Sequence, residues 1–145
     1  MYYNLKRFIE AQNKECKGYE TALCEIRRGK KTEHWIWYIF PQLKELRKSP
    51  CAKFYGIDGI DEAKAYFADP ILQERLIEIT QALLDLDEAD PVKILGYTDA
   101  MKVKSCMTLF LQIRPENMIF HAVLDKFYDG QLDDKTLTLL GIDYK

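Results

Sequence analysis

His34-Trp35-Ile36-Trp37-Tyr38-Ile39-Phe40-Pro41-Gln42 is the stretch on which the fold class turns. Trp35, Trp37 and Ile39 alternate with Ile36, Tyr38 and Phe40, and all six are apolar. That pattern fits a buried strand or a buried helical turn equally well. Pro41 ends either one, because it has no N–H to continue a ladder or a helix. One strand cannot satisfy its own backbone groups, and little else in the chain reads as strand. The run is therefore expected to be a helix or an irregular buried segment. The expected fold is mainly α: a single compact domain over residues 1–145, built of about seven or eight helices.

The flanking sequence carries the helical signals. Leu5, Phe8, Ile9 and Gln12 keep i, i+3, i+4, i+7 spacing, and Tyr19, Leu23 and Ile26 continue it in a second helix that Gly29 ends. Gly18 between them reads as a bend. A short helix follows over Ile60–Phe67. Asp69-Pro70 reads as an N-cap with proline at the first helical position, and places Leu72, Leu76, Ile79 and Leu83 on one face. Asp90-Pro91 repeats the start signal before a short turn to Gly96. Thr98 is the expected cap of a helix from Asp99 to about Ile113, with Val103, Cys106, Met107 and Phe110 buried. Pro115 is expected to open the next, with Phe120, Val123, Leu124 and Phe127 inward, and Asp133–Leu140 the last, stopped by Gly141.

Composition describes an ordinary globular protein: 48% hydrophobic and 30% charged residues. The first residues include Asn4, Lys6, Arg7 and Glu10, unlike a signal peptide. No apolar run approaches the ~20 residues of a membrane helix, so a cytoplasmic location and no membrane contact are expected. Cys16, Cys24, Cys51 and Cys106 form no C-x-x-C pair; reduced thiols and no metal site are the expectation. The net charge of −2 conceals a basic half and an acidic half, with +6 over residues 1–56 and −8 over residues 57–145. A basic half can steer an anionic ligand, or the two halves can attract each other and cancel. The acidic total, without a basic-aromatic repeat, disfavours nucleic acid.

Three groups carry candidate chemistry. His34 can act as acid, base or donor near neutral pH, or be structural. Trp35, Trp37, Tyr38 and Phe40 can stack on a base, or be core. Asp99, Lys102 and Ser105 share one stripe of a helix, where an acid, an amine and a hydroxyl could hold a phosphate or ribose, or form a plain surface ion pair. His121 and Asp125, at i, i+4, read as an exposed pair.

A longer pattern joins these pieces. It runs Phe8-Ile9-Glu10-Ala11-Gln12, Tyr19, Ala22-Leu23, Gly29-Lys30, the His34–Gln42 string, Ser49-Pro50-x-Ala52, Tyr55-Gly56-Ile57 and Ala63-x-Ala65-Tyr66-Phe67. It continues with Pro70-x-Leu72, Asp99-x-x-Lys102 and Ser105-x-Met107-Thr108-Leu109-Phe110, then Phe120-x-x-Val123-Leu124-Asp125 and Thr136-Leu137-x-Leu139-Leu140. This resembles small bacterial proteins grouped as a domain of unknown function and sometimes labelled "calpastatin". Calpastatins are long disordered inhibitors, whereas this composition is that of a compact fold. The resemblance implies an α-helical fold and brings no activity with it. Asp69 stands where many relatives have histidine, and Cys106 where serine is common.

The order of F-x-x-A-Q, a basic-glycine turn, a tryptophan, Ala65-Tyr66-x-x-x-Pro70-x-Leu72 and an aspartate-led segment is also similar to the NADAR superfamily. Some of its members cleave N-glycosidic bonds in ribosylated or ADP-ribosylated compounds. That similarity implies an enzyme acting on a nucleotide or ribosyl N-glycoside without a cofactor. Trp35 and Trp37 would stack on the base, and Arg28 or Lys30 would meet phosphate. His34 or Asp99 would assist the leaving base or position water, while Lys102 and Ser105 hold the sugar, with Gln42 at the segment's polar end. The alternative is a non-catalytic module that binds a small anionic nucleotide-like ligand or a protein.

Overall fold

Short polar side chains placed just before apolar runs cap five of the helix starts among the described residues. The computed structural model describes residues 3–142, and among them ten α-helices follow in order. They are α1 (Lys6–Gln12), α2 (Tyr19–Arg28), α3 (Ile36–Ile39), α4 (Pro50–Tyr55), α5 (Gly59–Ala68), α6 (Pro70–Leu84), α7 (Pro91–Leu95), α8 (Tyr97–Ile113), α9 (Met118–Tyr128) and α10 (Asp134–Leu139). A 3-10 turn at Lys44–Leu46 separates α3 from α4. Asp69 accepts hydrogen bonds from the Ile71 and Leu72 N–H groups, and Asp90 from Val92 N–H. Each thus satisfies donors that a helix start leaves free.

Ten helices exceed the seven or eight expected from the sequence. The excess lies in short elements. Helix α4 spans six residues and buries Ala52 alone, so it carries no hydrophobic period. Its start is chemical: Ser49 Oγ accepts from Ala52 N–H at 3.1 Å, with Pro50 behind it. Helix α7 has five residues, too few for a period. Two starts also move. Helix α8 begins at Tyr97, on Gly96 rather than a Thr98 cap. Helix α9 begins at Met118 rather than Pro115, because Asn117 Oδ1 accepts from Ile119 N–H at 3.2 Å.

The aromatic segment is one helical turn and then extended chain. After α3 the only bridge pairs Leu43 with Ile57 in parallel, among the described residues. Ile57 N–H donates to Gln42 O and Lys44 N–H to Ile57 O, both at 2.9 Å. Trp35 and Phe40 are buried in the core. The connection from α1 to α2 turns tightly at Gly18, where a Cβ would lie 2.2 Å from Lys14 O and 2.7 Å from Gln12 O; no side chain fits there.

Helix α8 is the central rod. Its buried positions, from Ala100 and Val103 through Phe110 to Ile113, run round the helix, as expected when neighbours cover it on several sides. Helices α5, α7, α9 and α10 pack on it, and α6 joins α9 to α2. Tyr66, Phe67, Phe110 and Phe120 make an aromatic knot with ring centroids 5.5–6.0 Å apart. Among the described residues, three ion pairs tie the basic half to the acidic half: Arg7–Glu62, Arg27–Glu78 and Lys31–Asp99. No helix of the described residues is long and apolar enough to cross a membrane. The four cysteines are free, three exposed and Cys106 buried.

Candidate functional site

The connection between α2 and α3 is pinned from two sides by two carboxylates. On one side, Glu25 of α2 receives four hydrogen bonds. They come from Thr32 N–H (2.8 Å), Thr32 Oγ1 (2.9 Å), Glu33 N–H (3.1 Å) and the Trp35 indole N–H (2.9 Å). Burial pushes the Glu25 carboxyl up, but these donors outweigh it and hold it down at about 2. Trp35 is thereby fixed with 0% of its surface exposed, which leaves no free face for a stacked base in this conformation.

On the other side, Asp99 in the first turn of α8 takes one ammonium on each oxygen. Lys31 Nζ lies 2.7 Å from Oδ2, and Lys102 Nζ 3.2 Å from Oδ1. Lys31 Nζ also donates to Glu33 O at 2.5 Å and lies 5.0 Å from the centre of the Trp35 ring. Lys102 Nζ sits 3.9 Å above the Trp37 ring, a cation–π distance. The lysine side chains are only 6% and 10% exposed. Two ammonium groups against one carboxylate leave an unmatched positive charge, since no other carboxylate among the described residues lies within 4.0 Å of either. The α3 turn produces this arrangement. Two residues of that turn amount to about 200° around its axis, so Trp37 points away from Trp35: one ring enters the core and the other stays half-buried beside Lys102.

Asp99, Lys102 and Trp37 are therefore brought together, and Lys31 joins them. The sequence marks Lys31 only as one cation in a basic flank; nothing in its spacing announces a partner 68 residues on. The remaining candidates lie elsewhere. His34 is exposed, and its imidazole makes no hydrogen bond among the described residues; its carbonyl lies 3.4 Å from the Tyr38 hydroxyl. Lys30 is exposed and gives its backbone N–H to Glu25 O. Arg28 borders a shallow cleft of about 480 Å³ with Cys16, Thr21 and Thr32. Gln42 is buried, and its Oε1 has no hydrogen-bond partner among the described residues. Ser105 Oγ faces α10, 3.0 Å from Asp133 Oδ2. His121 and Asp125 form an exposed pair at 3.1 Å. Neither this cleft nor three others of about 500 to 610 Å³ is lined by His34, Trp37, Asp99 or Lys102. The charged cluster is a shallow site at the surface of the core.

Residues 2–140 match a family described as a protein of unknown function, DUF1810. The fold is similar to the crystal structure of the conserved hypothetical protein Rv1873 from Mycobacterium tuberculosis. The two share 38% identity with a TM-score of 0.91, over 97% of this chain and 99% of that one. No curated protein matches the chain.

Proposed function

We propose, on the premise that this chain belongs to the DUF1810 family of proteins of unknown function, that it binds a small anionic nucleotide-like ligand over Trp37 and Lys102. The observation that carries this reading is the unmatched positive charge of Lys31 and Lys102 around Asp99. Lys31 Nζ uses two of its three donors, on Asp99 and Glu33, while Lys102 Nζ uses one on Asp99 and keeps two for an incoming oxygen. A phosphate or ribose oxygen would complete the Lys102 shell, and the base would lie on the exposed part of Trp37. Such stacking contributes about 1–3 kcal/mol per base.

Cleavage of a ribosyl N-glycosidic bond is the finer reading that the NADAR resemblance suggests. Asp99, the carboxylate of the cluster, supports it as the group that could face a developing oxocarbenium charge. The absence of a cleft joining His34 to Lys102 among the four described favours binding over enclosed chemistry.

Thermal-shift titration with NAD, ADP-ribose and nucleosides tests both readings. Binding predicts a saturable rise in Tm with ADP-ribose that Lys102→Ala abolishes, and hydrolysis predicts release of free base as well. If ADP-ribose, NAD and nucleosides all leave the Tm of the wild type unchanged, the reading fails.

A further inference from the structure

A different part of the molecule holds an arginine arranged for an anion. The connection from α1 to α2, the start of α2 and the first half of α6 enclose a cleft of about 610 Å³. This volume lies within the ~300–1,000 Å³ of small-molecule sites. Arg75 forms one wall, half-buried. Its Nη1 donates to Gln12 Oε1 at 3.2 Å and its Nη2 to Asn13 Oδ1 at 3.0 Å. Its guanidinium carbon lies 5.4 Å from the centre of the Tyr19 ring.

All three partners are neutral. No carboxylate among the described residues lies within 4.0 Å of the Arg75 guanidinium. Of its five N–H donors, two are used. The partners are themselves held: Gln12 is 3% exposed, and its Nε2 donates to Tyr38 O at 2.8 Å and approaches the Tyr66 hydroxyl at 3.4 Å. The Tyr19 hydroxyl donates to Glu78. A guanidinium fixed on neutral acceptors, with donors to spare beside a cleft, is matched by a forked oxyanion.

We propose that this cleft is a second ligand site, in which Arg75 takes the carboxylate of a small organic acid. The rest of the lining selects a carboxylate over a phosphate. Glu20, Glu74 and Glu78 share the cleft with Lys14, Arg27 and Arg75, so its formal charge balances. A multiply charged phosphate would face the three glutamates with up to two negative charges, whereas a single carboxylate at Arg75 brings only one and is repelled less. The site stands apart from Lys102 and does not depend on the nucleotide reading.

Side-chain NMR of arginine-labelled full-length protein reads the site directly, with the monocarboxylate lactate titrated at constant ionic strength in sodium chloride. The Arg75 Nε–H resonance is assigned by its disappearance in Arg75→Lys. The expected result is a saturable shift of that resonance. Asn13→Ala should weaken it several-fold, because one of two anchors is lost, while Lys102→Ala leaves it unchanged. Arg75→Lys, checked for folding by circular dichroism and titrated by calorimetry because it lacks the reporter resonance, should bind lactate at least about tenfold more weakly than the wild type, because lysine lacks the planar fork. A shift that never saturates, equal affinity in Asn13→Ala, or saturation by inorganic phosphate but not lactate would overturn the proposal.

Discussion

Glu25 and Asp99 hold the same short connection, but they do so with opposite electrostatics. Glu25 is surrounded by four neutral donors and has no cation within 4.0 Å among the described residues. Asp99 is surrounded by two cations. The first arrangement is closed: each donor finds an acceptor and nothing further is invited in. The second is unbalanced: the connection is held just as firmly, yet a positive charge is left at the edge of the core. Trp35 and Trp37, two residues apart, share this contrast, one fully buried against Glu25 and the other partly buried beneath Lys102. A protein can thus lock a loop with a carboxylate and leave it inert, or lock it and leave it charged.

The contrast can be broken by substitution, and the largest effect is expected where burial is complete. Trp35→Ala should cost about 3–5 kcal/mol in chemical denaturation, as removal of a buried large ring does. Trp37→Ala should cost under about 2 kcal/mol, because part of that ring is exposed already. Equal losses at the two positions would show that the two sides do not differ.

Next in size is the carboxylate pair itself. Asp99→Asn leaves two buried ammonium groups without a counter-charge and should cost about 3 kcal/mol or more. Lys102→Met leaves a balanced Lys31–Asp99 pair and should cost under about 1 kcal/mol while removing ligand binding. Stability lost equally in both would mean that the charge at Lys102 is not surplus.

The pH dependence sharpens the comparison further. The Glu25 carboxyl sits at about 2 in the folded protein against the ordinary glutamate value of 4.5 that holds in the unfolded chain. Its contribution, roughly 3 kcal/mol, is therefore complete above about pH 4.5 and is lost as the pH falls towards 2. Urea denaturation between pH 6 and pH 2.5 should show this acid-side slope in the wild type and a flatter one in Glu25→Gln. Unchanged slopes would remove Glu25 as the anchor. The smallest effect belongs to Arg28→Ala and Lys30→Ala, which should each change stability by less than about 0.5 kcal/mol; a larger change would mean that the basic flank holds the connection as well.

Much of the fold was legible in the sequence because it is written in local chemistry. The Asp69-Pro70 and Asp90-Pro91 starts are capped as their residue types predict. The inward faces of α6 and α9 follow their 3.6-residue periods. Helices α4 and α7 were hard to see because five or six residues do not complete a period. Asn117 is masked as a cap in the sequence by Pro115, which gives the more conspicuous start signal two residues earlier. In the candidate site, Asp99 and Lys102 are legible as i, i+3 neighbours on one helix. Lys31 is not, and neither is the Gln12–Arg75 contact, 63 positions apart.

The sequence by itself determined the helical class, most helix starts and the aromatic run as buried material, because capping and periodicity act within a few residues. The tertiary structure alone decided which tryptophan of that run would be buried and which would meet a lysine. It also decided that Asp99 would face two cations and Glu25 none. Those outcomes depend on where distant helices come to rest against α8, and no local pattern encodes the distance between side chains that meet only after packing.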